Sequence, residues 1–431
     1  MRCAAYFKPR APIFFFFIFK KKTPGGINLD KKKPGSYSHR EIIQFEFFVP
    51  TRIIFGEDSL SELSSRKMPG KKALLVTSCG RSAKASGAFD RVYSALNSVG
   101  EPPAVYPCIG ANPTLDSVNE GAELARREGC DFVVALGGGS VMDASKAIAL
   151  TAPNGKNYWD FVAAGTGGGK PVENAPLPLV AITTTAGTGS EADATAVVTN
   201  MQTGEKIGFV HPGMFPVLSV VDSSLTLGVP PSLTAYQGFD ALFHATECYV
   251  SNKANKMSDM LALTSVSYCA KYLARAVNDG SGGEARDGMS FANMLSGMVM
   301  TLSGCTSKHG MEHAMSALSP RLAHGAGLIM LAPPYYEHML SVHACDERFV
   351  SLARAMGCGG AGSPHDFVDA LKKLMRECGV EGLKMSDYGI QPKDFAAMAE
   401  NAMTSMKRVF SNDRVPLTKD DVIAIYSRAY R

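Results

Sequence analysis

From about Phe45 onward the chain alternates between short apolar runs and stretches of helical periodicity. Residues 47–55 are β-rich and lead into Gly56, and 60–63 begin a short helix. Apolar runs at 73–77, 104–106, 131–136 and 178–182 predict strands, and the segments 89–96, 115–128 and 141–150 predict the helices between them. Such short apolar strands have no polar face, which implies a parallel sheet covered by helices on both sides. The rhythm stops after the apolar run 218–221. From Leu233 onward long helical periodicities take over, at 256–277, 288–302, 367–378 and 395–406. The Val229-Pro230-Pro231 stretch is the natural hinge. The expectation is an α/β domain with a parallel sheet over 45–225, followed by an all-helical domain over 226–431. The Gly-rich stretch 165–169 reads as a surface loop, and no repeat at solenoid period is evident.

Length and composition agree with two soluble globular domains: 431 residues, 45% hydrophobic and 19% charged. The net charge of +4 is unevenly spread. Residues 1–44 hold ten Lys/Arg against Asp30 and Glu41, which leaves the rest of the chain slightly acidic. The overall charge is therefore no argument for a nucleic-acid partner. Ten dispersed cysteines without a C-x-x-C pair fit reduced thiols in a cytoplasmic protein better than a disulfide framework. In the N-terminal extension, the apolar run 13–19 is far short of the roughly 20 residues needed to span a bilayer. Lys20-Lys21-Lys22 stands where a signal peptide would carry small residues. The extension reads as a disordered tail, with an organellar targeting peptide as the alternative.

Two loops carry candidate phosphate chemistry. Gly137-Gly138-Gly139-Ser140 joins the strand at 131–136 to a helix. Glycines at such a turn let the backbone approach a phosphate, whose charge free N–H groups and the helix dipole stabilise. The turn also falls at the carboxyl end of a central strand, where α/β proteins bind ligands, so residues 45–225 read as a dinucleotide-binding domain. A second loop, 183–191, is rich in threonine and glycine. Residues 187–192 satisfy G-x-G-x-x-A, but that fingerprint belongs at the first strand-to-helix turn and this loop follows the fourth strand. Its hydroxyls read as donors to phosphate or nicotinamide, or as helix caps.

Four of the nine histidines fall between 244 and 324. Asp240 and His244 are four residues apart, as are His309 and His313, and on helices each pair shares a face. His324 follows, before Gly325. Burying so many polar groups on apolar helices is costly unless they share a task. One carboxylate with two or three imidazoles suits Fe²⁺, Zn²⁺, Ni²⁺ or Co²⁺. The zinc-protease motif needs Glu directly after its first His, and here that residue is Gly310.

Over roughly 45–431 the chain resembles the iron-containing (group III) alcohol dehydrogenases, whose fold is similar to that of dehydroquinate synthase. The resemblance rests on Asn112-Pro113-Thr114, on Gly-Gly-Gly-Ser at 137 with Asp143 and Lys146, and on Thr-Thr-Ala-Gly-Thr at 184–188. Gly-Phe-Asp-Ala-Leu-Phe-His-Ala-Thr-Glu at 238–247 and the histidines ending in His324-Gly325 complete it. It implies that Asp240, His244, His309 and His324 hold a divalent metal, Fe²⁺ first and Zn²⁺ second, with His313 handling a proton beside it. Gly138, Gly139 and Ser140 would face the pyrophosphate, and Asn112, Thr184, Thr185, Thr188 and Lys206 would line the cofactor cleft. Two departures stand out: Phe239 where relatives usually carry Met, and eleven residues from His313 to His324 where many have ten.

The implied chemistry is hydride transfer between a small alcohol or aldehyde and nicotinamide C4, with the metal polarising the substrate oxygen. A homo-oligomer, read as a dimer, and no membrane span complete the picture. Glycerol dehydrogenase and a dehydroquinate-synthase-like lyase are the rivals within the fold, and a catalytically dead binding protein is the rival outside it. The lyase must clamp a carboxylate and a phosphate, yet between Thr301 and Tyr335 the chain offers only Lys308 and Arg321. Cofactor choice turns on the end of the strand at 73–77. NAD-selective relatives tend to carry an acid there, whereas this chain has Ser78 with Arg81 and Lys84 close behind, which predicts NADP(H) over NAD(H).

Overall fold

The computed structural model describes residues 44–431 apart from Arg81 and Lys156, so the expectations for the N-terminal extension lie outside the described residues. Six strands form one sheet: β1 (Arg52–Phe55), β2 (Lys72–Ser78), β3 (Glu101–Ile109), β4 (Phe132–Gly137), β5 (Leu179–Thr183) and β8 (Leu218–Val221). Their order is β1-β8-β5-β4-β2-β3 and every neighbouring pair is parallel. Alternate residues of the same strands feed two separate cores. Leu74, Val76, Val133 and Ala135 pack with α3 (Leu115–Arg127) and α4 (Gly139–Asn154). Leu75, Val134, Leu136 and Val180 pack on the other face with α2 (Ala88–Val99). That two-sided burial explains why β4 is apolar at every position. Helix α1 (Ser82–Ala85) is a single turn after β2.

Local departures from the sequence reading have physical causes. The β-rich stretch 47–55 is a strand only at Arg52–Phe55, an edge that pairs with β8 alone. The helix expected at 60–63 is a 3₁₀ turn, Ser59–Ser65. Strand β3 extends to nine residues despite Pro102, Pro103 and Pro107, because it is the other edge of the sheet, where a missing N–H costs little. The sequence reading also passed over β6 (Thr195–Asn200) and β7 (Glu205–Val210), an antiparallel hairpin outside the main sheet.

The helical part opens with α5 (Pro231–Val250), which is buried on all sides from Gly238 to its end and forms the axis of the bundle. Around it lie α6 (Lys256–Asn278), α7 (Gly283–Leu302), α8 (Ser307–Leu318) and α9 (His324–Ser341). Farther out come α10 (Asp346–Ala355), α11 (His365–Glu377), α12 (Phe395–Ser405), α13 (Lys407–Phe410) and α14 (Lys419–Ala429). Among the described residues no helix is long and apolar enough to cross a membrane.

Candidate metal centre and cofactor cleft

Helices α5, α8 and α9 bring five of the singled-out residues to one point. Asp240 and His244 project from one face of α5, His309 and His313 from one face of α8, and His324 opens α9. Asp240 Oδ1 lies 3.6 Å from His244 Nε2, 3.5 Å from His309 Nε2 and 3.6 Å from His324 Nε2. Donors about 2.1 Å from a shared ion in tetrahedral array stand about 3.4 Å apart, and each of the three imidazole nitrogens keeps about that spacing from Asp240 Oδ1. Asp240 Oδ1 and His309 Nε2 are both buried without a hydrogen-bond partner. Orphaned polar atoms facing one another in a core are what a cation site leaves when its protein ligands alone are considered. The residues fit a divalent metal. Burial pushes the Asp240 carboxyl up, but the His244 and His324 imidazoles pull it down to about 2, and burial lowers His244 to about 4.

Each imidazole is oriented through its other nitrogen. His244 Nδ1 lies 3.2 Å from the Gly187 carbonyl, and His309 Nδ1 lies 2.7 Å from Glu247 Oε1. His324 Nδ1 meets Glu312 Oε2, and His313 Nδ1 lies 3.2 Å from the Lys206 carbonyl. A proton held on Nδ1 by an oxygen leaves Nε2 as the lone-pair donor. Glu247 also accepts from the backbone N–H and hydroxyl of Thr306 and pairs with the buried Lys308 ammonium at 3.0 Å. Burial works against that carboxylate, but His309 and Lys308 hold it well below the usual range. Glu312 is held down in the same way by His324 and Lys206. Burial and the Lys206 cation push the His313 imidazole well below its usual range.

The glycine turn lies at the other end of the same cleft. A Cβ on Gly138 would come within 2.8 Å of the Thr185 side chain, and one on Gly139 within 2.2 Å of Thr188, so the two loops are in contact only because glycine stands there. Beneath them Lys146 donates to Ser190 and to the Thr195 carbonyl and pairs with Asp193 at 2.8 Å, while Asp143 accepts from Ser190 and from the Val197 N–H. A cavity of about 490 Å³ runs from Gly139, Ser140 and Thr188 past Asn112 and Lys206 to Asp240 and the four histidines. Asn112 also reaches the Pro320 carbonyl at 3.5 Å, and Lys206 reaches Ser316 at 3.2 Å, so the helical part closes the cleft. Gly138, Thr184, Thr185 and Ser78, expected to face the cofactor, are not among the residues that line this cavity. The register of β2 against β4, with Thr77 opposite Leu136, nevertheless puts Ser78 level with the start of the glycine turn.

The sequence reading did not single out Glu247 or Glu312 as histidine partners. A carboxylate three residues after His244, and another one before His313, were the available signals. Apart from Lys206, the hairpin β6–β7 and the 405–409 segment, which supply much of the remaining cavity wall, carried none.

A nucleotide-type sheet whose glycine turn opens toward a buried carboxylate-and-imidazole cluster defines a metal-centred oxidoreductase architecture. Residues 50–223 match the family model for iron-containing alcohol dehydrogenase, and residues 234–430 match the model for the C-terminal part of the Fe-containing alcohol dehydrogenase family. The chain is 33% identical to alcohol dehydrogenase 4 of Schizosaccharomyces pombe, over 89% of this chain and 88% of that protein. It is 32% identical to the 1,3-propanediol dehydrogenase of Klebsiella pneumoniae, over 90% and 99%. Among solved structures, an archaeal halo-thermophilic Red Sea brine pool alcohol dehydrogenase superposes with a TM-score of 0.85 at 34% identity, covering 90% of this chain and 99% of that one. The chain belongs to the iron-containing alcohol dehydrogenase family and is a metal-dependent alcohol dehydrogenase.

Proposed function

We propose that the chain interconverts small alcohols and aldehydes with NADP(H), using a divalent metal, Fe²⁺ before Zn²⁺, held by Asp240, His244, His309 and His324. The observation that carries this reading is the set of three imidazole nitrogens each 3.5–3.6 Å from Asp240 Oδ1, opening onto the cavity that begins at Gly139 and Ser140. A divalent ion bound there supplies Lewis acidity to the substrate oxygen. Gly138, Gly139 and Ser140, with the threonines of the second loop, bind and orient the dinucleotide at the amino end of α4. Walls from both parts of the chain exclude water from the line of hydride transfer. His313, fixed through Nδ1 by the Lys206 carbonyl, takes the hydroxyl proton and returns it in the reverse direction. The division between the two domains is placed at 225/226, between β8 and α5.

NADP(H) preference rests on Ser78. It ends β2 beside the glycine turn, where an acid would bond the ribose hydroxyls and repel a 2′-phosphate. Lys84 follows on α1, exposed, with its ammonium 5.2 Å from the Phe89 ring centre. The expected result is a higher kcat/KM with NADP⁺ than with NAD⁺ in the metal-loaded protein, and a shift toward NAD⁺ in Ser78→Asp. A wild type that favours NAD⁺ would overturn this choice; absence of any alcohol-dependent cofactor reduction would overturn the wider reading.

A homodimer is the assembly this reading favours. Phe45, Phe47 and Phe48 are 41–59% exposed beside the edge strand β1, an apolar patch and an unpaired edge that a second copy would cover. Sedimentation should give twice the chain mass, and a monomer at micromolar concentration would refute it. The free thiols of the nine described cysteines support a reducing compartment, the cytoplasm.

A further inference from the structure

The metal end of the cavity is walled by a segment that no motif marked. Residues 405–409 line it, with Met406 and Val409 half-buried and Lys407 and Arg408 exposed at the mouth. The segment is tightly fixed. Gly310, directly after His309, admits it: a Cβ there would meet Val409 and Phe410 at 3.0 Å and Met406 at 3.1 Å. Asn252 donates its side-chain amide to the Ser411 and Asp413 carbonyls at 2.9 and 3.0 Å, and Asn412 donates to the Cys305 carbonyl at 2.7 Å. Lys253, on the loop between α5 and α6, sits close enough to Arg408 for the guanidinium to add to the effect of burial in lowering its pKa.

Charge pairing differs sharply along the cavity. The inner lysines are matched, Lys146 by Asp193 at 2.8 Å and Lys206 by Glu312 at 3.8 Å. Among the described residues no carboxylate forms an ion pair with Lys407, Arg408 or Lys253. Unmatched cations of one sign at the mouth of a low-dielectric cleft focus a field on an entering anion. They lie at the α8 end, next to the proposed ligands, whereas the cofactor phosphates belong to the glycine turn at the other end.

We propose that Lys407 and Arg408 form a subsite for an anionic group at the far end of the substrate, so that the preferred alcohols are ω-hydroxy acids or their phosphate counterparts and the preferred aldehydes are the matching aldehyde-anions. This rests on the dehydrogenase reading above and narrows it. The reaction is unchanged: a hydride leaves the carbinol carbon for the oxidised nicotinamide, the hydroxyl proton passes to His313 and from there to solvent, and the anion is a spectator that positions the chain.

The test compares kcat/KM for ω-hydroxycarboxylates of three to six carbons, the ω-hydroxyalkyl phosphates and the neutral diols of equal length, on metal-loaded full-length protein. The best anion should exceed the diol of its length, and the advantage should fall about tenfold in Lys407→Gln/Arg408→Gln and shrink as salt is raised. Arg408→Lys, which keeps the charge, should retain most of it. Preference for carboxylate or phosphate identifies the anion. Diols favoured over both anions, or an anion-to-diol ratio unmoved by the double substitution, would overturn the subsite and leave the dehydrogenase standing. Oxidation of none of the three series would instead sink the dehydrogenase reading, and the subsite with it.

Discussion

Replacing His309 by alanine is expected to abolish metal retention and turnover together while the chain stays folded. His309 Nε2 is a buried nitrogen without a hydrogen-bond partner, 3.5 Å from Asp240 Oδ1, and alanine removes one of four donors outright. Loss of an outer partner in such a centre typically costs 10- to 100-fold, so loss of a ligand should cost at least on the order of a thousandfold in turnover. The fold should survive because Glu247 keeps Lys308 and Thr306. His244→Ala should behave alike, and Asp240→Asn nearly so, since it removes the only anionic donor of the four. His313→Ala should separate the two readouts, keeping the metal while kcat falls about 10²- to 10⁴-fold, the usual worth of a positioned proton acceptor. Metal content, circular dichroism and kcat on the same preparations decide the matter. Full metal occupancy in His309→Ala would sink the assignment of the centre.

Much of this architecture was written in local patterns. The strands at 73–77, 131–136 and 178–182 could be read because both faces of the sheet are covered, which leaves no polar position to blur the run. The helices at 256–277 and 395–406 came within a residue of α6 and α12 for the complementary reason, an apolar stripe at helical period. The hairpin β6–β7 escaped notice because its burial is set by the cleft rather than by the sheet. Thr195 and Glu205 are polar yet largely enclosed, Glu205 by hydrogen bonds to Thr166 and Thr203. The Thr166 bond also ties the Gly-rich stretch 165–169, a surface loop as expected, to the hairpin.

The centre itself was legible through helical spacing, since two residues four apart on one helix must share a face whatever the rest of the fold does. What spacing could not convey is which groups meet across long stretches of chain. Glu247 reaches His309 over 62 residues. Reading cations only between Thr301 and Tyr335 counted Lys308, which is turned inward to Glu247 beside the Phe243 ring, and left out Lys407 and Arg408, which reach the cavity from α13. A window along the sequence selects neighbours in the chain, whereas a substrate meets neighbours in space.

Gly325→Ala should disable the centre without altering any ligand. Gly325 follows His324 at the start of α9, where the helix is pressed against α5. A Cβ there would lie 2.0 Å from the Tyr236 carbonyl oxygen, 2.6 Å from its carbon and 2.9 Å from Cα. All three are backbone atoms within α5, so no rotamer change can relieve the clash, and α9 must retreat by on the order of 1 Å to reach ordinary contact. His324 moves with it. Its Nε2 then leaves its 3.6 Å separation from Asp240 Oδ1, close to the 3.6 and 3.5 Å of His244 and His309, while Nδ1 remains tied to Glu312. A misplacement of this size costs about 100-fold in a site whose geometry sets the rate. The expected outcome is a metal affinity lowered at least about tenfold, kcat lowered about 100-fold at ambient metal, and partial recovery as metal is added. A stability loss of about 1–3 kcal/mol should accompany it. Gly382→Ala is the matched control: nothing lies within 4 Å of its added Cβ, and it should change neither metal affinity nor rate. Wild-type metal affinity in a folded Gly325→Ala protein would show that the contact between α9 and α5 does not position His324.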